Sequence, residues 1–175
     1  HPQPVHVADA DGWLDAMRAA KVLADPRERR QRIHQQIELA AQGTGGTPQL
    51  DDALLDELAN LTEWPVAIAC TFERGFLAVP PEALVTTMVA NQKFEPVFDA
   101  EGKLTEHFIG IANIESRDPA EIRRGYERVI RPRFADARFF WDEDLKTPLA
   151  SYQEQLKNVT YQQALGSLWD KSVRV

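Results

Sequence analysis

The stretch that decides the fold lies just before the middle of the chain and reads Val66-Ala67-Ile68-Ala69-Cys70-Thr71-Phe72. Large apolar side chains alternate with small ones along it, which is the two-residue period of a β-strand with one heavily packed face. A second apolar run follows at residues 108–113, and between the two Pro96-Val97-Phe98 precedes a turn at residues 99–103. That turn predicts a hairpin. We therefore expect a small sheet built from residues 65–72, 94–98 and 106–113.

Helices are expected before and after this sheet in the chain. Asp25-Pro26-Arg27-Glu28 and Asp118-Pro119-Ala120-Glu121 share the same helix start, with a capping carboxylate, a proline in the first turn and an acid behind it. Apolar residues at helical spacing predict the packed faces. These are Ile33 and Ile37 in one helix, and Leu54, Leu55, Leu58 and Leu61 in another.

The predicted fold class is α+β, with N-terminal helices, a small mixed or antiparallel sheet, and C-terminal helices packed on it. Everything after residue 117 is expected to be helical apart from breaks near Pro132 and Pro148. The predicted organisation is a mainly helical subdomain over residues 1–60, a sheet with one helix over residues 61–116, and a helical segment over residues 117–175 that leads towards further domains.

The composition predicts an ordinary folded domain that is not held together by disulfides or a structural metal. Of the 175 residues, 43% are apolar and 27% charged, and Cys70 is the single cysteine, so an intrachain disulfide and a thiolate metal cluster are both excluded. No apolar run approaches the ~20 residues that cross a bilayer, and the first residues lack the pattern of a signal peptide. We expect a soluble protein of the cytoplasm with no membrane partner.

One segment reverses the sign of the charge. The net charge is -7, and residues 1–116 hold 9 Lys and Arg against 18 Asp and Glu, whereas residues 117–138 hold 7 Arg against 4 acids. On a helix, Ile122, Tyr126, Val129 and Ile130 would fall on one face. The neighbouring face would carry Arg123, Arg124, Arg128 and Arg131. Such a face could hold an RNA backbone or an acidic partner surface, or could be a solvated face with ion pairs to Glu121 and Glu127.

Residues typical of catalysis or metal binding form no recognisable pattern. The histidines have no ligand spacing, and the acidic run Asp142-Glu143-Asp144 points its carboxylates in different directions on a helix. No serine lies in a nucleophile elbow, and the glycine-rich stretch at residues 43–46 lacks the Gly-Lys-Ser/Thr end of a phosphate loop. We expect no catalytic, cofactor or metal site. The aromatic run Phe139-Phe140-Trp141 is expected in a core or an interdomain contact.

A long specific motif gives the chain its family resemblance. The run Asn113-Ile114-Glu115-Ser116-Arg117-Asp118-Pro119, with the segment from Gly125 to Phe140, closely resembles the bacterial glycyl-tRNA synthetase beta subunit. Shorter matching pieces agree in order and spacing from about residue 60 onward. They are Trp64-Pro65-Val66, Phe76-Leu77-Ala78-Val79-Pro80, Gln92-Lys93-Phe94 and Leu165-Gly166-Ser167-Leu168-Trp169-Asp170-Lys171.

The resemblance implies an assembly of two kinds of subunit. In that assembly the alpha subunit holds the site that uses ATP, magnesium and glycine, and the beta subunit supplies tRNA-binding domains. This chain would be an internal piece of the beta subunit that lies before the HD-like and anticodon-binding regions, so no cofactor is expected in it. The implied partners are the alpha subunit, tRNA(Gly) and the remaining domains of the beta subunit.

The resemblance also supports particular residues as contacts to RNA or to another domain. It favours Arg128, Arg131 and Arg133, and Lys93 is a further candidate for phosphate contact. The nucleic-acid-binding set predicted from the sequence is Lys93, Arg123, Arg124, Arg128, Arg131 and Arg133. The chain departs from the family pattern at Tyr126, where Asn is usual, at Glu95, where an aromatic is usual, and at Asn91, where His is frequent.

The predicted function is support of tRNA(Gly) binding and of subunit assembly within glycine-tRNA ligase. One alternative is a pure protein-protein scaffold whose arginine face docks against an acidic surface and never meets RNA. Another is a domain of the aminoacyl-tRNA editing kind, by analogy with the beta subunit of phenylalanyl-tRNA synthetase. Glycine is the smallest amino acid, so exclusion by size already rejects larger ones and weakens the need for editing.

Overall fold

The computed structural model describes residues 4–175, and contacts group them into two units. The first unit ends at Ala137, and the second covers Arg138–Val175. The three-part division expected from the sequence stays a prediction. No helix among the described residues is long and apolar enough to cross a membrane.

The first unit contains four short or medium helices, a four-stranded sheet and most of a long helix. In chain order its elements are α1 (Trp13–Ala19), α2 (Pro26–Gly43), β1 (Thr47–Pro48), α3 (Asp52–Leu61), β2 (Val66–Thr71), a 3-10 helix (Arg74–Ala78), α4 (Pro81–Thr86), a π-helical turn (Thr87–Gln92), β3 (Glu95–Phe98), β4 (Leu104–Ala112) and α5 (Pro119–Asp144). The second unit takes the end of α5, a 3-10 helix (Leu149–Asn158), β5 (Thr160–Gln162), β6 (Gly166–Ser167) and α6 (Leu168–Arg174).

The sheet of the first unit is antiparallel with strand order β1-β3-β4-β2. Its three longer strands confirm the predicted segments, and the turn between β3 and β4 is the predicted hairpin. There Asp99 accepts the amide protons of Glu101 and Lys103 at 3.0 and 2.8 Å, and Gly102 takes the left-handed backbone conformation that the turn needs. The α+β class with helices on an antiparallel sheet is confirmed.

Helices cover both faces of this sheet. Side chains of α2 and α3 pack on one face together with Val97 and Ile109, whereas Leu84, Met88, Ile130 and Phe134 pack on the other face against Phe108. The sequence predicted one heavily packed face for β2. The structure shows that its small residues are covered too, because Ala67 and Ala69 contact the α2 and α3 layer.

Two predicted features of the helices are wrong. α5 continues through Pro132, although proline removes one backbone hydrogen bond, and the buried residues Ile130 and Phe134 anchor the helix on either side of it. Residues 160–167 form the β5–β6 hairpin instead of a helix. Two residues placed on packed faces are also largely solvent-exposed, Leu61 at 60% and Val129 at 44%.

The outer edge of β2 is covered in part by one side chain from each helical layer. Gln36 of α2 donates to the carbonyl of Pro65 at 3.0 Å and accepts the amide proton of Ala67 at 2.8 Å, as a neighbouring strand would. Glu127 of α5 accepts the amide proton of Thr71 at 3.0 Å. Covering an edge in this way satisfies its backbone groups and blocks pairing with another chain.

Replacement of Gln36 by methionine should lower the free energy of unfolding by about 1 to 3 kcal/mol, because the amide proton of Ala67 loses its acceptor and the carbonyl of Pro65 keeps only the longer hydrogen bond from Arg32 at 3.4 Å. Urea denaturation followed by circular dichroism measures this change. Gln35→Met is the matched control, since Gln35 is exposed on the same helix, and it should shift stability by less than about 0.5 kcal/mol. Equal stability of the two variants would contradict a protective role for Gln36.

Candidate nucleic-acid interface

The start of α5 is set by side chains of the segment that precedes it. Asp118 accepts the amide protons of Ala120 and Glu121 at 3.0 and 3.3 Å, and Ser116 accepts the amide proton of Asp118 at 3.0 Å. Pro119 is the first helical residue, where a missing donor has no cost. The predicted cap is confirmed, and it fixes where the arginines that follow are placed around the helix.

Three of these arginines share one side of α5. At 100° per residue, Arg124, Arg128 and Arg131 fall within an arc of about 60°, roughly 130° around the helix from the packed side chains of Tyr126 and Phe134. With a rise of 1.5 Å per residue, the three positions extend over about 10 Å. We call Arg124, Arg128 and Arg131 the α5 arginine face.

Two of the three guanidinium groups already have acidic partners. Arg124 pairs with Glu121 and lies 3.9 Å from Asp118, and Arg131 pairs with Glu73 at 2.5 Å. Within residues 4–175, Arg128 has no ion pair. The side chains of Arg124 and Arg131 are 55% and 60% exposed, so their ion pairs contribute little to stability and can be exchanged for other anions.

The solvated-face alternative is therefore right for Glu121 and wrong for Glu127. Glu121 forms the predicted ion pair with Arg124, three residues later on the helix. Glu127 turns away from the arginines, and its carboxylate accepts both the amide proton and the hydroxyl proton of Thr71. The arginine face is thus partly neutralised at its two ends and uncompensated at Arg128.

The other three predicted residues lie elsewhere. Lys93 pairs with Glu57 of α3 at 2.9 Å and donates to the carbonyl of Ala90, so it belongs to the layer on the opposite side of the sheet. Arg133 is exposed without an ion pair among the described residues, about 170° around the helix from the arginine face. Arg123 is exposed outside the arginine face, and its charge acts on the thiol of Cys70.

The thiol of Cys70 is unreactive. Burial raises the pKa of its thiol to about 12, and Glu127 adds to the rise, whereas the charge of Arg123 opposes it. A thiol with such a pKa stays protonated at neutral pH and is a poor nucleophile. Across residues 4–175 no three His, Cys, Asp or Glu side chains converge as metal ligands would. The arrangement on α5 offers binding chemistry for an anion and no covalent chemistry.

A second polar cluster was missed from the sequence. The ring of Trp64 lies beneath two cations, with Lys21 Nζ 4.7 Å and Arg32 Cζ 4.4 Å from its centre. Asn113 accepts the amide protons of Glu63 and Trp64 at 2.7 and 2.9 Å. The matching pieces at residues 64–66 and 113–119 thus meet in space, and these contacts give them a role in holding the fold together.

Glu95 is a buried carboxyl group in β3, only 2% exposed. It accepts the amide protons of Gln49 and Leu50 at 3.0 and 2.9 Å and so holds the left-handed turn at Leu50. Burial raises the pKa of Glu95, and the carboxylate of Asp51 acts in the same direction, whereas the two backbone hydrogen bonds oppose them. The net rise means that the folded state binds this proton more tightly than the unfolded state does.

Glu95→Gln should therefore stabilise the protein at pH 7, because the amide keeps an acceptor without a buried charge. A raised pKa means that the folded state binds the proton more tightly than the unfolded state, so the contribution of Glu95 to stability falls as pH rises from the ordinary Glu value through the raised one. In thermal unfolding between pH 4 and pH 8, the stability of Glu95→Gln relative to the parent should therefore increase as pH rises. Glu101→Gln, in an exposed turn, is the control and should behave like the parent.

The other two departures from the family pattern have different surroundings. Tyr126 packs its ring against Phe94, with ring centres 5.1 Å apart, directly over Gly110. Asn91 is exposed in the π-helical turn. Tyr126 is therefore part of the core, and Asn91 is part of the surface.

The comparisons with known proteins agree with each other. The family model described as glycyl-tRNA synthetase beta subunit matches residues 1–175. A glycine--tRNA ligase beta subunit of Xanthomonas campestris pv. campestris (strain B100) is 54% identical over all 175 residues, which are 25% of that protein. The same subunit of Xylella fastidiosa (strain M12) is 53% identical, and that of Pseudomonas savastanoi pv. phaseolicola (strain 1448A / Race 6) is 51% identical, each over the whole chain.

The chain spans about a quarter of the length of these relatives, 24% to 26%. These relatives are 51% to 54% identical over all 175 residues, so no part of the chain lies outside the match. The resemblance predicted from the motif at residues 113–140 is confirmed, and it extends over the residues before about residue 60 as well. The chain belongs to the glycyl-tRNA synthetase beta subunit family.

Proposed function

We propose that this chain is an internal region of the beta subunit of a cytoplasmic glycine-tRNA ligase, in which it supports binding of tRNA(Gly) and assembly with the alpha subunit. The reaction served is the ATP-dependent attachment of glycine to tRNA. The proposal leaves ATP, magnesium and glycine to the alpha subunit, and gives this chain a binding role without a catalytic residue.

The observation that carries the proposal is the α5 arginine face. Its guanidinium groups point away from the packed side of the helix in a chain whose net charge is -7. Guanidinium groups match phosphate oxygens in geometry, and contacts to phosphates position a protein on nucleic acid without reading its sequence. The uncompensated charge of Arg128 supplies the attraction, and the exposed pairs of Arg124 and Arg131 can open at small cost.

A scaffold role is the second candidate, and the same ion pairs favour it. Glu73 and Glu121 show that carboxylates already engage two arginines of the face. An acidic surface of the alpha subunit or of another domain could occupy Arg128 in the same way. The two candidates differ in which ligand is lost when the charges of the arginine face are reversed. The RNA role predicts loss of tRNA, and the scaffold role predicts loss of the protein partner.

Reversal of the face by Arg124→Glu, Arg128→Glu and Arg131→Glu together should weaken binding of tRNA(Gly) to the assembled enzyme at least about tenfold at low salt. It should also reduce the slope of log affinity against log salt by roughly 2 to 3, about one for each phosphate contact. Fluorescence anisotropy of labelled tRNA at several salt concentrations measures both quantities, and analytical ultracentrifugation measures the assembly.

The matched control reverses three other cations of the first unit, Arg18→Glu, Arg27→Glu and Lys103→Glu, with the same change of net charge. The control should bind tRNA nearly as the parent does. Loss of tRNA affinity in the face variant with the assembly intact supports the RNA role. Loss of assembly supports the scaffold role, and parent-like behaviour in both measurements contradicts both.

A further inference from the structure

The second unit, Arg138–Val175, has no buried side chain, although the structure describes all of its residues. Its large apolar residues are exposed instead, with Phe140 at 63%, Leu145 at 65% and Leu149 at 87%. A small folded unit normally removes more than half of its chain from solvent, and exposed apolar patches of this kind mark contact surfaces. The second unit therefore lacks a hydrophobic core of its own, and its exposed apolar side chains need a binding partner that covers them.

The shape of the exposed surface is concave. A groove of about 440 Å³ passes between Trp141, Leu145, Leu149 and Tyr152, and a second groove of about 300 Å³ shares Leu149 and Tyr152 and continues to Leu156. We call these five side chains the C-terminal apolar groove. Its walls suit an apolar helix or loop of another folded domain.

Local contacts give the unit around the groove a defined conformation. Ser167 and Asp170 form a reciprocal capping box at the start of α6, with distances of 2.8 to 3.2 Å. Lys157 lies over the ring of Trp169 at 5.0 Å, and Lys171 lies over the ring of Tyr161 at 4.3 Å. The apolar residues are thus presented by a shaped surface.

Charge argues against a nucleic acid as the cover. Residues 138–175 hold five Lys and Arg and five Asp and Glu, so the unit is electrically neutral and provides no excess of cations for phosphates. Neutral apolar surfaces of this kind are typical of contacts between domains that stay together. The cover is therefore expected to be protein.

We propose that the C-terminal apolar groove is covered by another domain of the same polypeptide, one that lies outside these 175 residues. The family relatives devote about three quarters of their length to other sequence, since this chain matches only 24% to 26% of them. A tethered domain reaches the groove at an effective concentration in the millimolar range, so that even a weak contact stays formed. The proposal rests on the proposed function in one respect, that the chain is part of a polypeptide of that length.

Hydrogen exchange followed by mass spectrometry tests the proposal on the full-length beta polypeptide without the alpha subunit. The amides of residues 149–175 should exchange at least about tenfold more slowly there than in the 175-residue chain. Leu149→Asp in the full-length polypeptide should abolish this protection and leave exchange in β2 and β4 unchanged. Gln155→Asp, an exposed polar site in the same 3-10 helix, is the matched control and should keep the protection.

Each other outcome identifies a different cover and overturns the proposal. Protection already present in the 175-residue chain would assign the groove to the first unit. Protection that grows with protein concentration would assign it to a second copy, and protection that requires the alpha subunit would assign it to that partner. Rapid exchange under all conditions would leave the groove uncovered. None of these results depends on binding of tRNA, so failure here is distinct from failure of the arginine face.

Discussion

Phe134→Ala should lower the free energy of unfolding by about 3 to 5 kcal/mol, which is the usual cost of a large aromatic side chain lost from a core. Phe134 is fully buried where α5 meets the sheet. Its ring makes an edge contact with Phe72 at 4.8 Å between ring centres and another with Phe76 at 5.7 Å. Alanine removes both aromatic pairs and leaves a cavity that the helix cannot close, since Ile130 holds its preceding turn.

The measurement is equilibrium unfolding in urea, which gives the free energy of unfolding. The slope of this free energy against urea concentration is compared between variants as well. Phe140→Ala is the matched control, because it makes the same substitution on the same helix at a side chain that is 63% exposed. The control should change stability by less than about 0.5 kcal/mol. A similar loss in both variants would show that burial of Phe134 is not what anchors α5.

Gly110→Ala should destabilise the protein by about 1 to 3 kcal/mol through overpacking. Gly110 lies in the central strand β4, and a Cβ atom there would come within 2.6 Å of two ring carbons of Tyr126 and 3.3 Å of Phe94. The ring of Tyr126 cannot move away freely, because it packs against Phe94. The glycine is required by this close approach, since its backbone is not in the left-handed region.

A double-mutant cycle isolates that clash. Tyr126→Asn removes the ring, so Gly110→Ala in this background should cost little stability. It could even stabilise the strand, because alanine loses less conformational freedom on folding than glycine does. The coupling between the two substitutions should be about 1 to 2 kcal/mol in thermal or urea unfolding. Additive effects would show that the ring of Tyr126 is not the obstacle. Asn is also the residue that the family pattern implies at this position.

Features that depend on neighbouring residues were predictable from the sequence. The caps at Asp25 and Asp118 need only a carboxylate two or three residues before an amide, and both form as expected. The β3–β4 hairpin follows from Asp99 and Gly102 in the same way. Period and turn chemistry are local, and so they gave the strands and most of the helices.

Features that depend on distant residues were not predictable in this way. α5 continues through Pro132 because buried side chains on both sides of it pack against the sheet, which no local rule describes. Arg131 meets Glu73 across 58 positions in sequence, so its partial neutralisation could not be seen from the helix alone. The ion pair of Lys93 could not be seen locally either, because its partner Glu57 comes from another helix, and contact of Lys93 and Arg123 with RNA stays a prediction.

The protected edge of β2 has a consequence for synthesis on the ribosome. β2 ends at Thr71, but its inner neighbour β4 is complete only at Ala112, and a ribosome that adds 5 to 20 residues per second needs roughly 2 to 8 s to make the residues between them. Gln36 emerges before β2 and can cover part of the outer edge at once, whereas Glu127 emerges after β4. The nascent chain therefore carries an unpaired inner edge of β2 for several seconds, and an unpaired edge is open to pairing with other chains during that time.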